Sequence, residues 1–129
     1  MIKNKIHYIL KQNIDEILSS EDFVILFDGK KIRNKNELFR FLKETMDLPD
    51  SENWSSIIDW LTDLSWLKAD KYAFVFDNYN SFLADDLVSK ELFLEILRED
   101  VLPWWENDAK KYVVGGVAKS FQVYIIKND

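Results

Sequence analysis

Three short apolar runs constrain the fold more than any other feature of this 129-residue chain. Phe23-Val24-Ile25-Leu26-Phe27 ends at Asp28-Gly29, Tyr72-Ala73-Phe74-Val75-Phe76 ends at Asp77-Asn78, and the third run is Phe121–Ile126. Each is too short for a core helix and is closed by turn residues or by the end of its pattern, which reads as a buried strand. The stretches between them carry helical periodicity. Leu38, Phe39, Phe41 and Leu42 predict a helix over about 35–46, stopped by Leu48-Pro49. Ser51 is a candidate N-cap for a helix over about 52–65. A short helix is expected at Ser81–Asp86. A long one starts near Ser89 or Lys90, and Pro103 should kink or end it. Strands alternating with helices imply a small α/β domain with a three-stranded, mostly parallel sheet packed by helices.

The flanking segments extend this plan. Ile6, Ile9, Leu10, Ile14 and Ile17-Leu18 recur at three- and four-residue steps, so about 4–19 is expected to be an extra amphipathic helix within residues 1–20. Residues 106–118 carry charges and Gly115-Gly116, and read as a loop or irregular insertion. The whole of 1–129 is expected to be one domain, because a chain of this length can bury a core unaided.

Composition narrows the function. Hydrophobic residues make up 47% and aromatic residues 15%, which excludes general disorder. No apolar run approaches the roughly 20 residues that cross a bilayer, so no membrane association is expected. Tyr8-Ile9-Leu10 is too short for a signal-peptide core. With no cysteine and a single histidine, His7, neither a cysteine-ligated metal nor a two-histidine site can be built. No cofactor or metal is expected, and a reducing cytoplasm is the default compartment. Three glycines leave no phosphate-cradling loop. Paired acids such as Asp85-Asp86 are usual at a solvated helix start, so no catalytic residue is assigned. The net charge of −6 disfavours nucleic acid as a partner and favours a basic protein.

The acidity is concentrated. Between Thr45 and Leu67 stand Asp47, Asp50, Glu52, Asp59 and Asp63, with no lysine or arginine. At 100° per residue Trp54, Ile57, Ile58, Leu61 and Leu64 gather on one side of a helix. Ser55, Ser56, Asp59, Thr62 and Asp63 gather on the other, with Trp60 at the seam and Trp66 just beyond. This face is complementary to a site that holds a phosphate with arginine, lysine and histidine, since a fixed carboxylate forms charge-assisted hydrogen bonds there. A merely solvated helix surface would show the same pattern.

Two stretches carry a resemblance. Phe27-Asp28-Gly29-Lys30-Lys31-Ile32, with Leu38-Phe39, Phe41-Leu42 and Leu48-Pro49, resembles the opening of the barstar family. Glu52-Asn53-Trp54-Ser55-Ser56-Ile57-Ile58-Asp59-Trp60-Leu61-Thr62 is similar to that family's inhibitory helix, and Phe93–Glu99 to its last helix. The resemblance covers about 23–127 and leaves 1–20 and 100–118 as additions. It implies a cytoplasmic inhibitor that plugs the active site of a basic ribonuclease. Asp59 falls on the phosphate-mimicking aspartate, Thr62 on a contact threonine, Asn53 on the motif's asparagine, and Glu99 on an acid that reaches a nuclease arginine. Asp63 and Trp60 lie beside them. Ser55 departs from the motif's first aspartate, and Ile58 stands where the inhibitor that gives the family its name carries a contact tryptophan. An immunity or adaptor protein with a basic partner that is not a ribonuclease is the alternative.

Overall fold

The computed structural model of the chain describes residues 3–108 and 118–127. Strands β1 (Ile6–Leu10), β2 (Phe23–Asp28), β3 (Lys71–Asp77) and β4 (Ser120–Lys127) form one sheet in the order β1-β4-β3-β2, every neighbouring pair parallel. Helices α1 (Ile14–Ile17), α2 (Lys35–Met46), α3 (Trp54–Leu61) and α4 (Leu87–Ile96) connect them. The fold is the α/β class expected, with four strands rather than three.

The fourth strand is β1, and it corrects the helix expected over 4–19. Only Ile14–Ile17 of that stretch is α-helical, after a single tight turn at Lys11–Asn13. The three- and four-residue spacing that imitated one helix is shared between two elements. Ile6 packs on the helix-covered face of the sheet, whereas Ile9, Ile14 and Leu18 pack behind it against Ala73, Val75, Tyr124 and Ile126.

Connection handedness explains why the back face is covered this way. Going from β2 to β3 to β4 the chain steps to an adjacent strand each time, with its helices on one face. From β1 to β2 it travels the opposite way, from one edge to the other. A right-handed crossover then requires residues 11–22 to cross the opposite face. That segment is short and shields only the middle of the sheet. Val24 and Leu26 of edge strand β2 therefore stay 40% and 56% exposed, so the run 23–27 is buried on one side only.

The main core lies under α2, α3 and α4. Phe27 is at its centre, stacked on Phe76 at 4.3 Å and close to the rings of Phe41, Phe74, Phe82 and Phe93. At the end of β2 the chain turns at Gly29, where a Cβ would overlap the Asn78 carbonyl oxygen. Asn78 Nδ2 also donates to Asp28 at 3.0 Å, which holds the Asp28 carboxyl below its ordinary pKa.

Three further expectations change. Residues 79–85 are successive turns rather than a helix, and α4 starts at Leu87, capped by Asp86. At Pro103 the chain neither ends nor breaks its helix. It widens into π-type turns at Leu97–Val101 and Trp104–Asp108, which accommodate the missing N–H and the ring of Pro103. The loop expected over 106–118 is helical as far as Asp108, and 109–117 lies outside the described residues.

Asn4 joins β1 to this framework. It is buried, and its Nδ2 donates to the carbonyls of Leu102 and Lys119. Its Oδ1 accepts from Phe121 N and Gln122 Nε2. Gln122 Oε1 in turn lies 2.8 Å from His7 Nε2, and the His7 ring stacks on Tyr124.

Candidate functional site

The acidic helix is built from its entry loop upward. Its N-cap is Asn53, not Ser51: Asn53 is extended (φ −152°) and its side chain accepts from Ser56 N at 2.8 Å. Asp50 braces the same turn, accepting from Glu52 N at 3.1 Å and from Ser56 Oγ at 3.0 Å. One asparagine and one aspartate thus set the angle at which α3 leaves the chain.

The inward side is fixed by packing. Ile57 and Leu61 are fully buried, and Trp54 meets Phe39 edge-on at 4.9 Å. The far end is held from two directions. Trp105 Nε1 donates to Leu61 O at 2.8 Å, and Trp66 Nε1 donates to Met46 O at 2.8 Å. Trp66 also supports Trp60 in a T-shaped contact at 5.6 Å. Leu64, at φ 53° and fully buried, turns the chain out of the helix.

The outward side carries Ser55 and Asp59, both exposed, with Ser56, Thr62 and Asp63 half-buried beside them. Thr62 Oγ1 donates back to Ile58 O at 2.8 Å, leaving its lone pairs outward. Asp63 accepts from Ser65 Oγ at 3.1 Å. Among the described residues none of the five acids of 45–67 has a salt-bridge partner; every ion pair lies elsewhere. The field of this face is therefore not neutralised locally.

The charges are also poorly placed for the stability of the free protein. Asp59 sits in the last turn of α3 and Asp63 just beyond it, at the negative end of the helix, and no cation lies in that turn. They are one turn apart, so each repels the other. Asp59→Asn with Asp63→Asn should raise stability by roughly 0.3–1 kcal/mol per charge, seen as a higher midpoint in thermal unfolding. A lower midpoint would show that these carboxylates serve the fold.

The structure thus gathers Asn53, Ser55, Asp59, Trp60, Thr62 and Asp63 on one helix and its exit, but not all in the same role. Asn53 is consumed by the cap, and Thr62 has committed its proton. Glu99 stands on the wide-turned segment Leu97–Val101, which packs against α3; its side chain is exposed and lies 4.0 Å from the Arg98 guanidinium. Asp50 and Trp66 are the braces of this face: Trp66, like Trp60 an interface candidate from its sequence position, spends its N–H on Met46 O, and Asp50 holds the helix start. Asp50 was detectable as an acid three residues ahead of the cap, whereas the reach of Trp66 to Met46 has no local signal. Among the described residues, no cluster of three His, Cys, Asp or Glu is placed to hold a metal, and no helix is long and apolar enough to cross a membrane.

A protein-family model described as Barstar (barnase inhibitor) matches residues 23–115, from the start of β2 past α3 and α4. No curated protein and no solved structure matches the chain.

Proposed function

Because the chain belongs to the barstar (barnase inhibitor) family, we propose that it is a stoichiometric protein inhibitor of a basic ribonuclease, and that α3 is the element that enters the nuclease active site. The observation that carries this reading is the outward face of α3. It presents carboxylates with no ion-pair partner among the described residues, on a helix braced at both ends. Asp59 takes the place of the substrate phosphate and accepts from the nuclease's cationic side chains. Thr62 and Ser55 offer lone pairs beside it, Asp63 adds to the field, and Trp60 supplies apolar area at the rim. Glu99 reaches the partner from the neighbouring helix. Asn53 acts by holding the helix start. Because the helix is already ordered, docking costs little conformational entropy, and the acidic field speeds encounter with a basic partner. The inhibitor acts in the cytoplasm of the cell that makes the ribonuclease, a reducing compartment in which a cysteine-free chain is at no disadvantage.

Ser55 stands where the family motif has an aspartate, and Ile58 where the family's namesake has a contact tryptophan, and this favours one second reading: an immunity or adaptor protein for a different basic toxin. Titration into a barnase-type ribonuclease assay separates the two. Saturating inhibition near one equivalent supports the first. A folded sample that leaves RNA cleavage untouched rejects that nuclease class and moves the proposal to the second.

A further inference from the structure

We propose that the open edge of β1 is a second binding surface, one that takes an acidic, extended peptide segment as an added strand. β1 precedes the residues that match the family model, and it is the outer strand of the sheet, with nothing among the described residues paired on its far side. Its backbone polarity follows from its pairing. Val123 N donates to Lys5 O at 3.2 Å, so Lys5, His7 and Ile9 direct their main-chain groups to β4. The alternation turns N–H and C=O of Ile6 and Tyr8 outward. Both a donor and an acceptor are then available at each position, which a peptide backbone matches and a phosphate backbone, lacking donors, does not.

The chemistry beside this edge selects the partner. A cleft of about 530 Å³ runs between β1 and the wide-turned helix, its lining including Leu102, Pro103, Lys3, Lys5, Arg98 and Tyr8, the last 60% exposed. Lys3 and Lys5 have no salt-bridge partner among the described residues, and Arg98 has only the 4.0 Å contact with Glu99. The one acid of the lining, Glu106, already accepts from Asn4 N at 2.9 Å. Residues 1–14 hold no acid. A strand alternating acidic and apolar residues would turn carboxylates to the face of Lys3 and Lys5 and apolar side chains to the face of Leu102 and Pro103. A second copy of β1 would instead bring Lys3 and Lys5 against like charges, and edge lysines oppose such self-pairing.

The test uses the full chain and a fluorescein-labelled octapeptide of alternating Glu and Val, with the Lys–Val octapeptide and an eight-residue oligothymidylate as controls. Saturable anisotropy is expected with the acidic peptide and not with the basic one. Lys3→Glu with Lys5→Glu should weaken it about tenfold, and Arg98→Gln is a second variant that leaves β1 untouched. Hydrogen exchange at the Ile6 and Tyr8 amides should slow on binding, with His7 and Ile9 unchanged. Equal binding of both peptides, tighter binding of the oligonucleotide, self-association through this edge, or binding without protection of Ile6 and Tyr8 would each overturn the proposal. Ribonuclease inhibition plays no part in these readouts, so the two proposals fail separately.

Discussion

Replacing Asp59 by alanine is expected to cost about 2–5 kcal/mol of binding, roughly a 30- to 5,000-fold rise in Kd for the proposed ribonuclease partner. This is the scale of interfacial charge pairs in general, barnase–barstar among them. Much of it is the penalty for leaving the partner's buried cation unpaired, so the loss should appear in the dissociation rate. Removing Ser55, exposed on the same face, should cost no more than about 1 kcal/mol, as for most contacts around a hot spot. The sign is opposite in the free protein, where the carboxylate sits at the negative end of α3 without a cation in the last turn. Weaker binding combined with a higher melting temperature is a signature that a structural residue would not give. Inhibition curves and the dissociation rate of the complex measure the first half, and thermal unfolding of the free protein measures the second. Undiminished inhibition by Asp59→Ala would remove Asp59 from the interface.

The second large effect is expected at Phe27. Phe27→Ala deletes a fully buried ring that meets five other aromatic rings, and should destabilise the chain by about 3–5 kcal/mol in urea unfolding. Leu26, its neighbour on the same strand, is the internal control. At 56% exposure on the thinly covered back face, Leu26→Ala should cost less than about 1 kcal/mol. Similar costs at the two positions would mean that β2 is covered on both faces, contrary to the exposure of Val24 and Leu26.

The same contrast shows what was legible in the chain beforehand. α2 was readable to its ends, because Leu38, Phe39 and Leu42 share one stripe and Leu48-Pro49 stops it. β2 and β3 were readable because a run of large apolar residues closed by Asp-Gly or Asp-Asn has few other uses. β1 was not, since Ile6, Ile9 and Ile14 serve two faces of one sheet and their spacing copies a helix only by coincidence of the two elements. Its partner is over a hundred residues away, and no local pattern carries that pairing. Pro103 was read by its local rule, whereas the surrounding turns yielded by widening. For the site, the 100° spacing placed Asp59 on the outward face without any tertiary information. What it could not reveal was how side chains divide their hydrogen bonds: Asn53 to the cap, Asp50 to the brace, the Thr62 proton to Ile58 O.

The pairing of β1 with β4 has a consequence for the order in which the molecule is made. Asn4 and the Phe121 amide it binds are 117 residues apart in the chain. At about 5–20 residues per second, the ribosome delivers the second roughly 6–23 s after the first. Throughout that interval β1 has no β4 to pair with, and contacts of such long sequence separation form late. Lys3, Lys5 and Lys11 then flank an unpaired apolar strand in the nascent chain, where charge suppresses wrong pairings. The sheet can be completed only when β4 arrives, so β1, made before the other three strands, is among the last elements to acquire its native neighbours.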